Sequence, residues 1–194
     1  YNTLITNMAK KQQGWKKLSS KIVFQNKWIK VFEDKVIRPN GEEGTYAYVD
    51  TGSPSVYIVA LTENNEIYLV GLERYTSGEF SWELPGGNSD GADLLSAAKK
   101  ELKEETGLTA ENWQEVGFTW TMNGVVKEKS YAFIAKNLTQ SGDNEKMEEG
   151  IVDVKCVPLR DVLSMIKKGE IADGQSISSL SLATLAIFNL EQFL

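Results

Sequence analysis

Glu101, Glu104 and Glu105 recur at i, i+3 and i+4 in Lys100-Glu-Leu-Lys-Glu-Glu-Thr-Gly-Leu108, just downstream of the glycine turn in Glu83-Leu-Pro-Gly-Gly87. At about 100° per residue, these spacings place the carboxylates on one side of a helix, in its C-terminal half, with Gly107 positioned to end it. Like charges so arranged repel one another and face the unfavourable end of the helix dipole, a cost that a divalent cation removes. Oxygen ligands gathered without histidine or thiolate select magnesium, manganese or calcium over zinc, and such ions commonly take substrate phosphates as further ligands. On the glutamates alone a solvated Glu/Lys helix face is the commoner arrangement; the glycine turn ahead of them favours a site for phosphate chemistry.

Together the two segments resemble the Nudix box, G-x5-E-x7-R-E-U-x-E-E-x-G-U with U an aliphatic residue. Glu101-Leu-Lys-Glu-Glu-Thr-Gly-Leu108 matches its second half at every defined position, and Lys100 stands where the family has arginine. Counting from Gly87 makes Asp93 the acidic place with six residues between it and Lys100, whereas counting from Gly86 keeps the spacing and puts Ala92 there. We read a one-residue deletion with Asp93 retained, because Glu-Leu-Pro-x-Gly is how the strand before the box reads in the family. Lysine at position 100 cannot make the forked contacts of arginine.

The likeness continues over about residues 25–190. Trp28-Ile-Lys-Val, Arg38-Pro-Asn-Gly-Glu-Glu-Gly-Thr-Tyr46, Leu69-Val-Gly-Leu-Glu-Arg74, Val157-Pro-Leu and Gly169-Glu-Ile-Ala-Asp-Gly-Gln-Ser-Ile177 look like the ADP-ribose pyrophosphatase branch. The resemblance implies an α/β protein: a Nudix-type α/β/α sandwich with a mixed sheet at residues 51–194, preceded at 1–50 by an antiparallel β hairpin or sheet used in dimerisation. It implies Mg2+ or Mn2+ held by Glu101 and Glu105, assisted by Glu104 and the Gly86 carbonyl. It also implies a homodimer in which aromatics at Trp28 and Tyr46 stack the adenine, Arg74 reaches the substrate phosphates, and Glu128 lies beside the ribose-phosphate end. The base that completes water activation would come from an acidic loop, with Glu149 the best match and Glu148 its reserve.

The implied reaction is hydrolysis of the pyrophosphate bond of ADP-ribose or a related nucleoside diphosphate sugar. A hydrolase for another nucleotide, such as GDP-mannose or a nucleoside triphosphate, would share the metal ligands and differ only in the pocket. A non-catalytic nucleotide-sensing module is the other alternative. Two departures bear on the substrate: Val49-Asp50-Thr51 offers no cation where related enzymes carry an arginine, and Leu72-Glu73 replaces the glutamine and aromatic usual before Arg74.

Composition sets the outer limits. With 194 residues, 41% hydrophobic, the chain can bury one sizeable core with a small appendage. A net charge of -6 and a pI near 4.9 argue against a nucleic-acid-binding surface, which needs clustered lysine and arginine. No apolar run approaches a membrane span. The absence of histidine removes serine and cysteine hydrolase chemistry that relies on an imidazole base. The single cysteine, Cys156, reads as a buried inert thiol in an apolar strand, which favours a reducing, cytoplasmic compartment. Residues 1–13 lack both an initiating methionine and the basic start and apolar core of a signal peptide.

The elements that must position these residues follow from periodicity. Trp28–Ile37 and Gly44–Asp50 alternate around Pro39-Asn-Gly41 as a hairpin, which by itself is marginal and needs another sheet or chain. Ser55–Leu61 and Glu66–Leu72 read as denser strands, and Ser81–Leu84 as a short one. Asp90 or Asp93 can cap the glutamate helix, whose inward face is Leu94, Ala97, Ala98 and Leu102. Strands at 129–135 and 151–158, a polar loop at 137–150, and helices at 159–168 and 177–193 complete the prediction.

Overall fold

The computed structural model describes residues 14–142 and 150–188. The chain divides into two compact units, the first running to Gly52 and taking in Met122–Lys127, the second built from Ser53–Thr121 and the chain from Glu128 onward.

The first unit is one sheet. Strands β1 (Lys16–Gln25), β2 (Lys30–Ile37) and β3 (Glu43–Asp50) form an antiparallel meander, and the later β9 (Val126–Lys127) adds a short parallel edge to β3. At the β2–β3 turn Gly41 donates its N–H to the Arg38 carbonyl at 2.8 Å and takes φ of 88°, a conformation that glycine adopts without strain. The support that the hairpin requires thus comes from β1, a strand absent from the sequence expectations. All ten β1 residues are exposed, so interspersed lysines and serines mask the alternation of Leu18, Ile22 and Phe24.

The second unit holds the main core. β4 (Ser55–Ala60) lies between β7 (Gly86–Asn88) and β10 (Lys129–Gln140), and β8 (Leu108–Trp120) closes the far side of β10. Only the β4–β10 pair in this sheet is parallel, so the sheet is mixed. A second, antiparallel sheet is ordered β11 (Ile151–Pro158), β5 (Glu66–Arg74), β6 (Glu79–Glu83). Every residue of β4 is buried because helices cover both of its faces. Val56, Ile58 and Ala60 pack with Ala97, Ala98 and Leu102 of α1 (Leu94–Thr106). Tyr57 and Val59, on the opposite face, pack with Val162 and Met165 of α2 (Leu159–Lys168) and with Leu180 and Ala183 of α3 (Gly174–Ile187). This is the α/β/α sandwich expected from the sequence.

Several expectations change. β8 was not foreseen, because Thr109-Ala-Glu-Asn-Trp-Gln-Glu is polar and only pairing along β10 makes it a strand. β10 runs five residues beyond the expected Ala135, into the segment read as loop. α3 starts at Gly174 rather than Ile177, because Asp173 caps it by accepting the Ser176 N–H at 2.7 Å. Cys156 is exposed on β11, not buried. Partial desolvation, then nearby Glu66, still raise its thiol pKa, so it remains a weak nucleophile. Among the described residues, no helix is long and apolar enough to cross a membrane.

Candidate active site

The glutamate helix is held at both ends by its own sequence. Asp93 caps α1 by accepting the Ser96 N–H and hydroxyl, each at 2.9 Å, and those bonds lower its carboxyl pKa. At the other end Gly107 takes φ of 74° and returns its N–H to the Lys103 carbonyl at 2.8 Å. Ala97, Ala98 and Leu102 bury one face, and the adjoining stripe turns Glu101 and Glu105 toward β7.

The glycine turn is shaped to receive them. A Cβ on Gly86 would lie 2.3 Å from the Val56 carbonyl oxygen, so only glycine lets β7 pair so closely with β4. A Cβ on Gly87 would lie 2.9 Å from a Glu101 carboxylate oxygen. Glu105 accepts the Gly86 N–H at 2.8 Å. Both carboxylates are buried, at 9% and 7% exposure, where a lone anion would be costly.

Glu104 behaves differently. Its carboxylate pairs with Lys100 Nζ at 3.0 Å one helical turn back, and this bond raises the lysine pKa. Of the glutamates expected to crowd together, therefore, Glu101 and Glu105 converge on Gly86 and Gly87, while Glu104 is tied to the residue replacing the family arginine. Among the described residues, no three acidic, cysteine or histidine side chains come close enough to enclose a metal ion. An ion at the turn would have to complete its shell with the Gly86 carbonyl, water or substrate oxygens.

Arg74, at the end of β5, forks onto Glu83 with Nε–Oε1 at 3.0 Å and Nη2–Oε2 at 2.6 Å. Glu83 is 2% exposed, and its hydrogen bonds raise the guanidinium pKa further above its already high ordinary value. The backbone around Glu83 is braced on both sides. The Trp82 N–H donates to the Glu170 carbonyl and the Leu84 N–H to the buried Ser176 hydroxyl, both at 2.9 Å. Arg74 and Glu83 line a cavity of about 460 Å3 with Tyr57, Ser77, Phe80 and Asp173. Sequence reading passed over Glu83, Tyr57, Asp173 and Ser176. Period-two alternation was the available signal for Glu83, since the β5–β6 register puts Glu79, Ser81 and Glu83 on the face that carries Arg74.

Glu128 accepts the Thr121 hydroxyl at 2.9 Å. Trp28 and Tyr46 belong to the first unit. Trp28 is 67% exposed, with Lys27 Nζ 4.2 Å from its ring centroid. The Tyr46 hydroxyl donates to the Gly124 carbonyl at 2.6 Å, and its ring meets Trp15 edge to face at 5.1 Å. Glu148 and Glu149 lie outside the described residues.

A glycine turn receiving two carboxylates from a capped helix, inside an α/β/α sandwich, is the arrangement of a Nudix domain. The NUDIX domain model matches residues 52–180, so the chain belongs to the Nudix family, and it is a pyrophosphohydrolase of that family. Residues 15–49 match the nucleoside diphosphate sugar hydrolase N-terminal domain. Similar proteins include an ADP-ribose pyrophosphatase of Mycobacterium tuberculosis, 28% identical over 87% of this chain and 83% of the relative. An ADP-ribose pyrophosphatase of Bacillus subtilis is 26% identical over 83% of this chain and 88% of the relative. A crystal structure described as an ADP compounds hydrolase superposes with a TM-score of 0.81, covering 95% of this chain and 98% of that one at 18% identity. That likeness establishes the fold, while the sequence relatives support the ADP-ribose pyrophosphatase-like branch.

Proposed function

We propose that the protein hydrolyses the pyrophosphate bond of ADP-ribose or a related nucleoside diphosphate sugar, releasing a nucleoside monophosphate and a sugar phosphate. The observation that carries this reading is the convergence of buried Glu101 and Glu105 on the Gly86-Gly87 turn. The donors fit a hard divalent cation, magnesium or manganese: two carboxylates and the Gly86 carbonyl, beside a backbone with no side chain to obstruct approach. Such an ion, when bound, supplies charge neutralisation for the diphosphate and acidifies the attacking water.

The chain's own residues do the positioning. Gly86 N–H holds one Glu105 oxygen and so orients the carboxylate, while Lys100 keeps Glu104 as an outer acidic neighbour rather than a direct ligand. Arg74, pre-set by Glu83, retains N–H groups beyond its fork to donate to phosphate. Glu149 serves as the base, with Glu148 as its reserve, and Glu128 lies toward the ribose-phosphate end. In a homodimer the exposed ring of Trp28 stacks the base, which contributes about 1 to 3 kcal/mol by analogy with other aromatic platforms; Tyr46 assists from the same sheet.

The test is incubation with ADP-ribose and a panel of nucleoside diphosphate sugars, with and without magnesium, identifying the nucleotide released. AMP release from ADP-ribose only with metal is the expected result. No cleavage of any diphosphate sugar in the presence of magnesium or manganese overturns the proposal.

A further inference from the structure

We propose that a second cavity, between α2 and α3, binds a neutral small molecule with an apolar body and a hydrogen-bonding head, and that its occupant steadies the strand leading into the glycine turn. The cavity holds about 530 Å3, within the range of small-molecule sites. It lies at the far end of β5 from Arg74. Glu66, which lines it, and Arg74 are the two ends of that nine-residue strand, roughly 26 Å apart at about 3.3 Å per residue.

The lining sets the chemistry of the guest. Val162, Leu163 and Ile166 come from α2, and Leu180, Thr184 and Phe188 form one stripe of α3 at four-residue spacing. Val162 and Leu180 make an apolar floor at 1% and 5% exposure, whereas Leu163 and Phe188 stand at the mouth at 71% and 53%. Large apolar side chains left open beside a buried floor gain from a guest that covers them. At one side, the turn before β5 brings the exposed amides of Asn64 and Asn65, which both donate and accept. Arg160 and Glu66 both line the cavity, and Arg160 Nε lies 3.7 Å from Asp161 Oδ1, so neither sign of charge prevails. A phosphate or an ammonium ion would lose hydration there without a matching excess of opposite charge; a neutral molecule does not.

The same two helices hold the strand that feeds Gly86. Ser176 precedes Leu180 by one turn on the α3 stripe, and its hydroxyl accepts the Leu84 N–H at 2.9 Å. Just past α2, the Glu170 carbonyl accepts the Trp82 N–H at the same distance. A guest clamped between α2 and α3 is lost when the helices part, so it opposes the openings that release both N–H groups. Neither the cavity nor this link depends on which diphosphate is cleaved.

The probe for the test is Prodan, a neutral naphthyl ketone whose emission shifts when it leaves water. The wild-type protein should bind it, and excess ADP-ribose should leave it bound. Leu163→Asp and Phe188→Ala change exposed positions that the fold tolerates, and each should weaken binding about three- to tenfold. Prodan at about ten times its Kd should slow hydrogen exchange at the Leu84 and Trp82 amides by about tenfold, read by NMR. No binding by the wild type, displacement by ADP-ribose, or undiminished binding in both variants overturns the site. Binding that leaves exchange at both amides unchanged overturns the link to the turn. Expulsion of Prodan as the protein is concentrated, with a rise in sedimenting mass that Leu163→Asp abolishes, shows a second copy in the cavity and overturns the small-molecule site. None of these readouts requires turnover, so failure to cleave any diphosphate sugar would remove the hydrolase reading and leave this proposal standing.

Discussion

At the scale of single residues, neighbouring glutamates have different work because they meet different partners. Glu105 accepts a backbone N–H from Gly86, Glu101 lies against Gly87, and Glu104 is neutralised by Lys100. Glu105→Gln keeps an oxygen for the Gly86 N–H and removes the charge. Turnover should therefore fall by about 100-fold or more, while Tm stays near the wild-type value, because the lost interaction belongs to charge stabilisation and not to the fold. Steady-state kinetics with thermal melting checks this, and undiminished turnover would remove Glu105 from the site. The acid side of the stability profile has a residue-scale origin in Asp93. Its carboxyl is held below the ordinary value of 3.8 by the Ser96 bonds, so its contribution is complete above that value and is lost as pH falls through the lowered pKa. Asp93→Asn should flatten this part of a Tm-versus-pH curve.

At the scale of elements, the active turn depends on a helix far along the chain. The Leu84 N–H, two residues before Gly86, donates to the hydroxyl of Ser176, which is fully buried in the first turn of α3. Ser176→Ala leaves that buried N–H without a partner, which should cost about 1 to 3 kcal/mol. Because the same bond holds the strand leading to Gly86, kcat/KM should fall with stability, and chemical denaturation beside kinetics separates the effects. Leu84 and Ser176 lie 92 positions apart, so local pattern could not pair them. The capped ends of α1 and the dense apolar run of β5 were readable because their spacing is local. β8 and the full length of β10 were not, because a polar strand such as Thr109–Glu115 is defined by its pairing partner.

At the scale of the whole molecule, the first unit presents a sheet whose first strand is exposed along its entire length, with Leu18, Ile22, Val23 and Phe24 each about half exposed. An exposed edge strand with this much apolar surface is suited to a second copy of the chain, as the homodimer reading requires. Sedimentation should find a dimer in solution. Trp28→Ala should raise KM for ADP-ribose by about tenfold with little change in kcat, since a stacked base is worth a few kcal/mol at most. A loss confined to Tm would return Trp28 to a packing role.

The sequence by itself determined what depends on spacing and residue type: a capped helix bearing glutamates, a glycine turn ahead of it, a dense apolar strand at 55–61, and chemistry conducted without histidine. Only the tertiary structure decided which carboxylates converge, that Arg74 is committed to Glu83, and that Cys156 faces outward. The physical reason is that helix caps and period-two alternation are set by neighbours a few positions away. Burial and ion pairing are set by residues that packing brings together from distant parts of the chain.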